Sequence, residues 1–334
     1  KPAYISEFIK EAKKHMNCFE VHGGKIYIDG NRNYELELSK DAQYDKLADY
    51  AQTMKQNIKK GTNKVIPLSK MYEATDKLEG SDDVPDPTEV IDIPIGMRGG
   101  EVQTLAFSSM GDGSAHALAI GGTGSGKSNL LHAIVMSACY KYSPNDLNIY
   151  LVDFKGGVEF KYYEANRVVE KQLPQVKLTA LSSDPEDGLA VLANIDKEMT
   201  RRETLFRNSN VEDIMQYKKR YGKALPRLLV IIDEVQELFE RDSSIGSYAI
   251  NLMSKLFKKG RAFGINILWA SQNVPKVAGL KDKIISQVGS RISLKLNNPD
   301  DAQDLGISVQ KVANLSNTLG VGVIKDARTK NDAM

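Results

Sequence analysis

Eight consecutive residues constrain this chain more than any other feature. Gly121-Gly-Thr-Gly-Ser-Gly-Lys-Ser128 satisfies the pattern G-x-x-x-x-G-K-[ST] at every fixed position. Glycines in such a loop let backbone N–H groups converge on phosphate oxygens with no Cβ in the way. Lys127 then places its charge on the β- and γ-phosphates, and Ser128 offers a hydroxyl to Mg²⁺. The context agrees. An apolar run, Ala117-Leu-Ala-Ile120, precedes the loop, and Asn129 to Tyr140 can form a helix whose N-terminal dipole faces the phosphates. A chance match is expected in about one percent of chains this long. Gly121, Gly122, Thr123, Gly124, Ser125, Gly126, Lys127, Ser128 and Asn129 are therefore expected to bind ATP.

A second segment supplies what the loop lacks. Leu228-Leu-Val-Ile-Ile232 is an apolar strand that ends in Asp233-Glu234. Carboxylates at the end of a buried strand beside the loop suit phosphoryl transfer, with Asp233 holding the Mg²⁺ shell and Glu234 activating the attacking water. Gln272 ends the strand Ile265 to Ala270, where an amide can sense the γ-phosphate. Asp153-Phe-Lys155 ends the strand Ile149 to Val152 at the same edge, and reads either as a nucleotide contact or as a plain turn.

Apolar strand-like runs alternate with helical stretches from Ile91 onward: 117–120, 149–152, 176–181, 228–232, 265–269 and 292–296. Runs apolar on both faces, separated by helices, predict an α/β fold with a mostly parallel sheet covered on both sides. Residues 1–78 read as a small α+β unit. It comprises a helix over Ile5 to Met16, a hairpin of Phe19–His22 and Lys25–Ile28 about Gly23-Gly24, a strand over Tyr34 to Leu38, and a helix from Ser39 towards Lys60. The acidic, proline-punctuated segment 79–90 reads as a linker, leaving 91–334 as the ATPase domain.

Composition sets limits on partners. Forty-five basic against 43 acidic residues give a net charge of +2, so any nucleic-acid surface must be local. Two cysteines make no disulfide framework and suit a reducing cytoplasm. No apolar run reaches the ~20 residues that cross a bilayer. The chain opens on Lys1, as expected of a piece of a longer protein whose membrane association, if any, lies in segments not in this chain. His15, Cys18 and His22 are too few and too irregular to read as a metal site.

The ordered motifs Ile93-Pro-Ile-Gly-Met-Arg-Gly-Gly100, His116 to Ser128, Leu151-Val-Asp-Phe-Lys-Gly-Gly157, Val230-Ile-Ile-Asp-Glu234 and Gly260-Arg-Ala-Phe-Gly-Ile-Asn-Ile-Leu-Trp-Ala-Ser-Gln272 resemble the FtsK/SpoIIIE family, within the HerA–FtsK group. The resemblance covers roughly Ile91 to Lys325. It implies a RecA-like P-loop NTPase fold, ATP hydrolysis with Mg²⁺, and a self-assembled, usually hexameric ring that moves double-stranded DNA. A branch similar to EssC and EccC instead drives type VII protein secretion. The resemblance also implies that Arg261 enters the neighbouring subunit's site, where a guanidinium neutralises charge on the transferring phosphoryl group. Glycines after Asp153-Phe-Lys155, where the DNA pumps have Asp-Pro-Lys, lean towards the secretion branch; the single ATPase module leans away from it. Lys255, Lys258 and Lys259, with Lys276, Lys281 and Lys283, are candidate phosphate contacts or simply solvated lysines.

Overall fold

A computed structural model describes residues 19–22, 25–28, 31–37, 66–72, 86–111, 113–155, 159–164, 173–182, 184–234, 236–240, 243–274, 283–315 and 319–327. The chain divides into two compact units, Lys1–Val65 and Ile66–Met334. In the first, strands β1 (Phe19–His22), β2 (Lys25–Ile28) and β3 (Asn31–Glu37) form an antiparallel sheet in sequence order. The hairpin pairs Phe19 with Ile28 and His22 with Lys25, as Gly23-Gly24 requires. The third strand starts three residues before the expected Tyr34. The helices expected over 5–16 and 39–60 lie outside the described residues.

In the second unit, residues 68–72 are helical and precede a ribbon of β4 (Val90–Arg98) and β5 (Glu101–Ser108), which turns through Gly99 and Gly100 at positive φ. A seven-stranded sheet follows, built from β6 (Ala117–Ile120), β7 (Leu147–Asp153), β8 (Val176–Leu181), β9 (Arg227–Asp233), β10 (Ile265–Ser271), β11 (Ser290–Leu294) and β12 (Gly322–Lys325). Their order is β12-β11-β6-β10-β9-β7-β8. Neighbours are parallel except β12, which runs antiparallel to β11. Strand β11 starts and ends two residues earlier than the 292–296 expectation. The apolar alternation continues to Leu296, but the Lys295 carbonyl accepts the Gly122 N–H, so the ladder gives way to the glycine loop.

Both faces of the sheet are covered because its central strands carry two apolar faces. Leu118, Ile120, Val230, Ile232, Ile267 and Trp269 face one core; Ala117, Ala119, Leu229, Ile231, Leu268 and Ala270 face the other. Helix α1 (Lys127–Lys141) closes the second face with Leu131, Ile134, Val135 and Ala138, the i, i+3, i+4, i+7 stripe, together with Ile91, Ile93, Leu105 and Phe107 of the ribbon. Each such Leu or Ile contributes about 1.5–3 kcal/mol on burial.

Helix α2 (Pro185–Asn208) lies on the first face. It starts where Asp184 accepts the Glu186 N–H at 2.9 Å and Pro185 needs no partner, and it buries Leu192, Ile195, Met199 and Phe206. Helix α3 (Ile214–Tyr221) follows, then α4 (Gln236–Glu240) directly after β9, and α5 (Ser243–Lys259), which buries Ala249, Met253 and Leu256. Among the described residues, no helix is long and apolar enough to cross a membrane.

Candidate active site

Parallel strands deliver their carboxyl ends to one edge, and β6, β9 and β10 deliver three of the predicted motifs there. The register sets Ser271 beside Ile120, the last residue before the glycine loop, and Asp233 beside Ala270. The loop is fixed by its neighbours. Gly121 N–H donates to the Ser271 carbonyl at 3.1 Å, and Gly122 N–H to that of Lys295 at 2.9 Å. A Cβ on Gly122 would meet Asn297 Oδ1 at 2.6 Å. One on Gly126 would meet the Gly320 nitrogen at 2.8 Å, and Gly126 also sits at φ 99°. Only glycine meets both demands at 126.

Helix α1 begins at Gly126 with no side-chain cap and no acidic residue in its first turn. Its first N–H groups, those of Lys127, Ser128 and Asn129, are thus left for an anion, with the helix dipole behind them. Ser125 Oγ is buried there without a hydrogen-bond partner. These features fit phosphate.

Behind the loop, the Lys127 ammonium bonds Asp233 Oδ1 and lies 3.0 Å from Glu234 Oε1. All three residues are buried. Burial disfavours the charge on Lys127, but the two carboxylates hold its pKa above the usual value. Burial raises that of Asp233 to about 6 against the pull of Lys127, and Glu234 and Asp153 add to the rise. Burial also pushes Glu234 upward, yet Lys127 and hydrogen bonds from Gln236 and the Gln272 N–H outweigh it, leaving Glu234 below the usual range. Glu234 itself is strained, at φ 56°, where the chain turns from β9 into α4. Its N–H donates to the Ala270 carbonyl at 2.9 Å and fixes that turn.

Gln272 joins the same group. Its N–H donates to Glu234 Oε2 at 3.2 Å, and its side-chain Oε1 accepts from Thr123 Oγ1 at 3.2 Å, linking the loop tip to the acid. Asp153 reaches this edge but turns into its own loop, accepting the N–H groups of Lys155 (2.8 Å) and Glu159 (3.0 Å). Lys155 is exposed.

Arg261 lies elsewhere. It precedes β10 by four residues, at the opposite edge of the sheet, about 20 Å of strand away from its own glycine loop. There its guanidinium donates to the carbonyls of Met110 (3.1 Å), Gly111 (3.2 Å) and Gly113 (2.7 Å). Of the neighbouring lysines, Lys255 pairs with Asp196 at 2.6 Å and Lys259 with Glu203 at 3.7 Å. Lys255, Lys258, Lys259 and Lys283 line a shallow cavity of about 340 Å³. Lys276 and Lys281 lie outside the described residues.

Three contributors carry no signature in the sequence: Gln236, which bonds Glu234, and Asn297 and Gly320, which wall the glycine loop. Each comes from a segment whose own composition is that of an ordinary turn or helix start.

Residues 83–318 match the sequence model described as the FtsK/SpoIIIE family. The chain belongs to that family. Fold, motif order and family agree on a P-loop ATPase. Similar curated proteins fall on two sides. The chain is 29% identical to the ESX-5 secretion system protein EccC5 of Mycobacterium marinum over 247 residues, which is 70% of this chain and 17% of that protein. It is 32% identical to the DNA translocase FtsK of Helicobacter pylori strain J99 over 202 residues, 57% of this chain and 22% of that protein. The aligned part thus spans about a fifth of these curated relatives.

Among solved structures, the cytoplasmic domain of the Thermomonospora curvata type VII secretion ATPase EccC superimposes with a TM-score of 0.58 at 27% identity, over 73% of this chain and 28% of that one. The pCW3 conjugation coupling protein TcpA, solved as a monomer with ATPγS, gives 0.58 over 98% of this chain and 80% of that one. At 20% identity it speaks for the fold alone.

Proposed function

We propose that this chain is the ATP-hydrolysing part of a ring motor that moves double-stranded DNA. The observation that carries the ring is the placement of Lys127 and Arg261 at opposite edges of one sheet. Arg261 cannot serve its own phosphate site, so a complete site takes its arginine from a second copy. A head-to-tail contact of this kind, repeated and closed, is a ring.

Within one site, the uncapped start of α1 and the glycine loop hold the triphosphate, and Lys127 turns from its carboxylates to the phosphate oxygens. Glu234 takes a proton from the attacking water, and the neighbour's Arg261 meets charge on the transferring phosphoryl group. Ser128 and Asp233 are the residues that would hold Mg²⁺. Such an ion uses one or two protein oxygens and completes its shell with phosphates and water, so a hydroxyl and one carboxylate are sufficient. When bound, it neutralises charge on the β- and γ-phosphates.

The DNA reading draws on the relative named a DNA translocase. A second reading, protein export, draws on the EccC relatives and the 27% identical EccC structure.

Turnover measured with and without duplex DNA separates them. A DNA motor gains ATPase activity with duplex length rather than sequence. Its DNA affinity falls by roughly 0.9 log units per log unit of salt for each phosphate neutralised. Turnover flat with DNA at low salt, on confirmed oligomers, but raised by an export-signal peptide would establish the second reading in place of the first.

A further inference from the structure

Glu234 is held through both oxygens, and the two are held differently. Oε1 faces the Lys127 ammonium at 3.0 Å. Oε2 accepts from two neutral donors, the Gln272 backbone N–H at 3.2 Å and the Gln236 side-chain amide. The Gln236 amide is in turn held at its Oε1, which lies 2.8 Å from Ser271 Oγ, a hydroxyl whose one proton is shared with the Asn273 carbonyl at 2.7 Å; its Nε2 faces the acid. Ser271 is fully buried at the end of β10, and Gln236 opens α4, two residues beyond Glu234. The amide therefore ties the strained end of β9 to the end of β10.

We propose that Gln236 is a positioning residue for the reaction. By pinning Oε2 it fixes the carboxylate and leaves Oε1 as the oxygen that receives the proton of the attacking water. The inference rests on the reading of Glu234 as the water-activating acid. Its logic is one of lone pairs. The terminal torsion of a glutamate is soft, so one contact does not set it. Two donors on Oε2 use that oxygen's acceptor sites and set the plane of the carboxylate. Lys127, by contrast, is a charge for which phosphate oxygens compete.

Once Lys127 serves the phosphates, Oε1 is freed while Oε2 stays pinned. In the step itself, the water O–H bond breaks with its proton passing to Oε1. The water oxygen bonds the γ-phosphorus, and the bond from that phosphorus to the β,γ-bridging oxygen breaks to release ADP. Without Gln236 the carboxylate turns about its last torsion, and fewer bound substrates present Oε1 to the water.

The test compares Gln236→Leu, similar in volume but without the amide, and Ser271→Ala, which unties the amide and leaves Gln236 in place, with the unmodified chain. ATP affinity, KM, kcat and melting temperature are measured on each. Turnover should fall about 10- to 100-fold in Gln236→Leu, part of the ~10²–10⁴-fold that a general base contributes. It should fall less in Ser271→Ala, with ATP affinity within about twofold in both. In a Glu234→Gln background, followed by single-turnover hydrolysis, Gln236→Leu should add nothing, because it acts through that carboxylate.

A kcat within twofold of the parent in Ser271→Ala and in any folded Gln236→Leu overturns the proposal, as does an equal loss in the Glu234→Gln background. Normal turnover in Glu234→Gln alone would instead remove the reading on which the proposal rests.

Discussion

The Lys127 ammonium lies 3.0 Å from Glu234 Oε1 and also bonds Asp233, so one buried cation serves two carboxylates. The three side chains form a unit that phosphate and Mg²⁺ would divide. On the proposed reading, the lysine goes to the phosphates, one acid to the ion and the other to the water. Removing different members should therefore damage different steps.

Lys127→Ala should lose tight ATP binding, because it deletes the charge that meets the ground-state phosphates and leaves two buried acids facing them. Glu234→Gln should keep ATP affinity within a few-fold and lose about 10²–10⁴ in turnover, the share of a general base. Nucleotide titration beside steady-state hydrolysis separates the two. Near-normal turnover in Glu234→Gln would take that residue out of the chemistry.

Arg261→Ala should bind ATP normally and hydrolyse it ~10³–10⁵-fold more slowly, the contribution of an arginine supplied in trans. Because Arg261 sits at the edge away from its own glycine loop, mixing this variant with Lys127→Ala should restore activity at interfaces that pair an intact loop with an intact arginine. Mixtures that never exceed the sum of the separate proteins would rule out the trans role. The variant also frees the carbonyls of Met110, Gly111 and Gly113, so its melting temperature is recorded alongside.

Arg227→Met should destabilise the fold by about 3 kcal/mol or more, although methionine matches the aliphatic stem. The guanidinium, fully buried, donates to Asn266 Oδ1 at 2.7 and 3.0 Å and to the carbonyls of Thr88 (3.2 Å) and Phe107 (3.3 Å). Burial pulls its pKa down to about 9, with the Arg202 charge adding to the fall and Tyr142 opposing it. Each buried acceptor left unpaired costs about 1–3 kcal/mol. Urea unfolding at pH 7 measures the loss, and a change below 1 kcal/mol would contradict it.

His116 gives the fold a pH dependence. Its ring is fully buried, Nε2 donating to the Phe257 carbonyl at 3.0 Å and Nδ1 accepting the Ile267 N–H at 3.1 Å, a neutral pattern with no room for a second proton. Burial pushes its pKa down to about 3. A base whose folded pKa is depressed contributes stability above its unfolded value of ~6.5, and that stability is lost as pH falls below it. Between pH 7 and pH 5 the loss from this residue should be about 2 kcal/mol. Urea unfolding at both pH values should show a smaller difference for His116→Gln than for the parent chain. An identical difference would assign the effect to other groups.

Much of this site could be read in the sequence because contiguous residues carry it. The glycine loop with Lys127, and the apolar run ending in Asp233-Glu234, announce their place at strand ends. Burial on both faces made β6, β7, β9 and β10 legible as apolar runs. β4 carries no clear strand pattern, because Pro94 and Gly96 interrupt it. The antiparallel β12 is only four residues long and begins with glycine. Asn297 and Gly320 reach the site through tertiary contact alone, and Gln236 bonds back to Glu234 across a tight turn; no local pattern reports either.

Glu234 holds φ 56° at a position where it is 2% exposed. A non-glycine residue in that region costs on the order of 1–3 kcal/mol, and glycine there would relieve it. Local folding preference and catalysis therefore pull this position in opposite directions. Glycine there would also leave Lys127, the Gln236 amide and the Gln272 N–H without their shared acceptor, so the strained turn persists because the contacts that aim the acid also hold it.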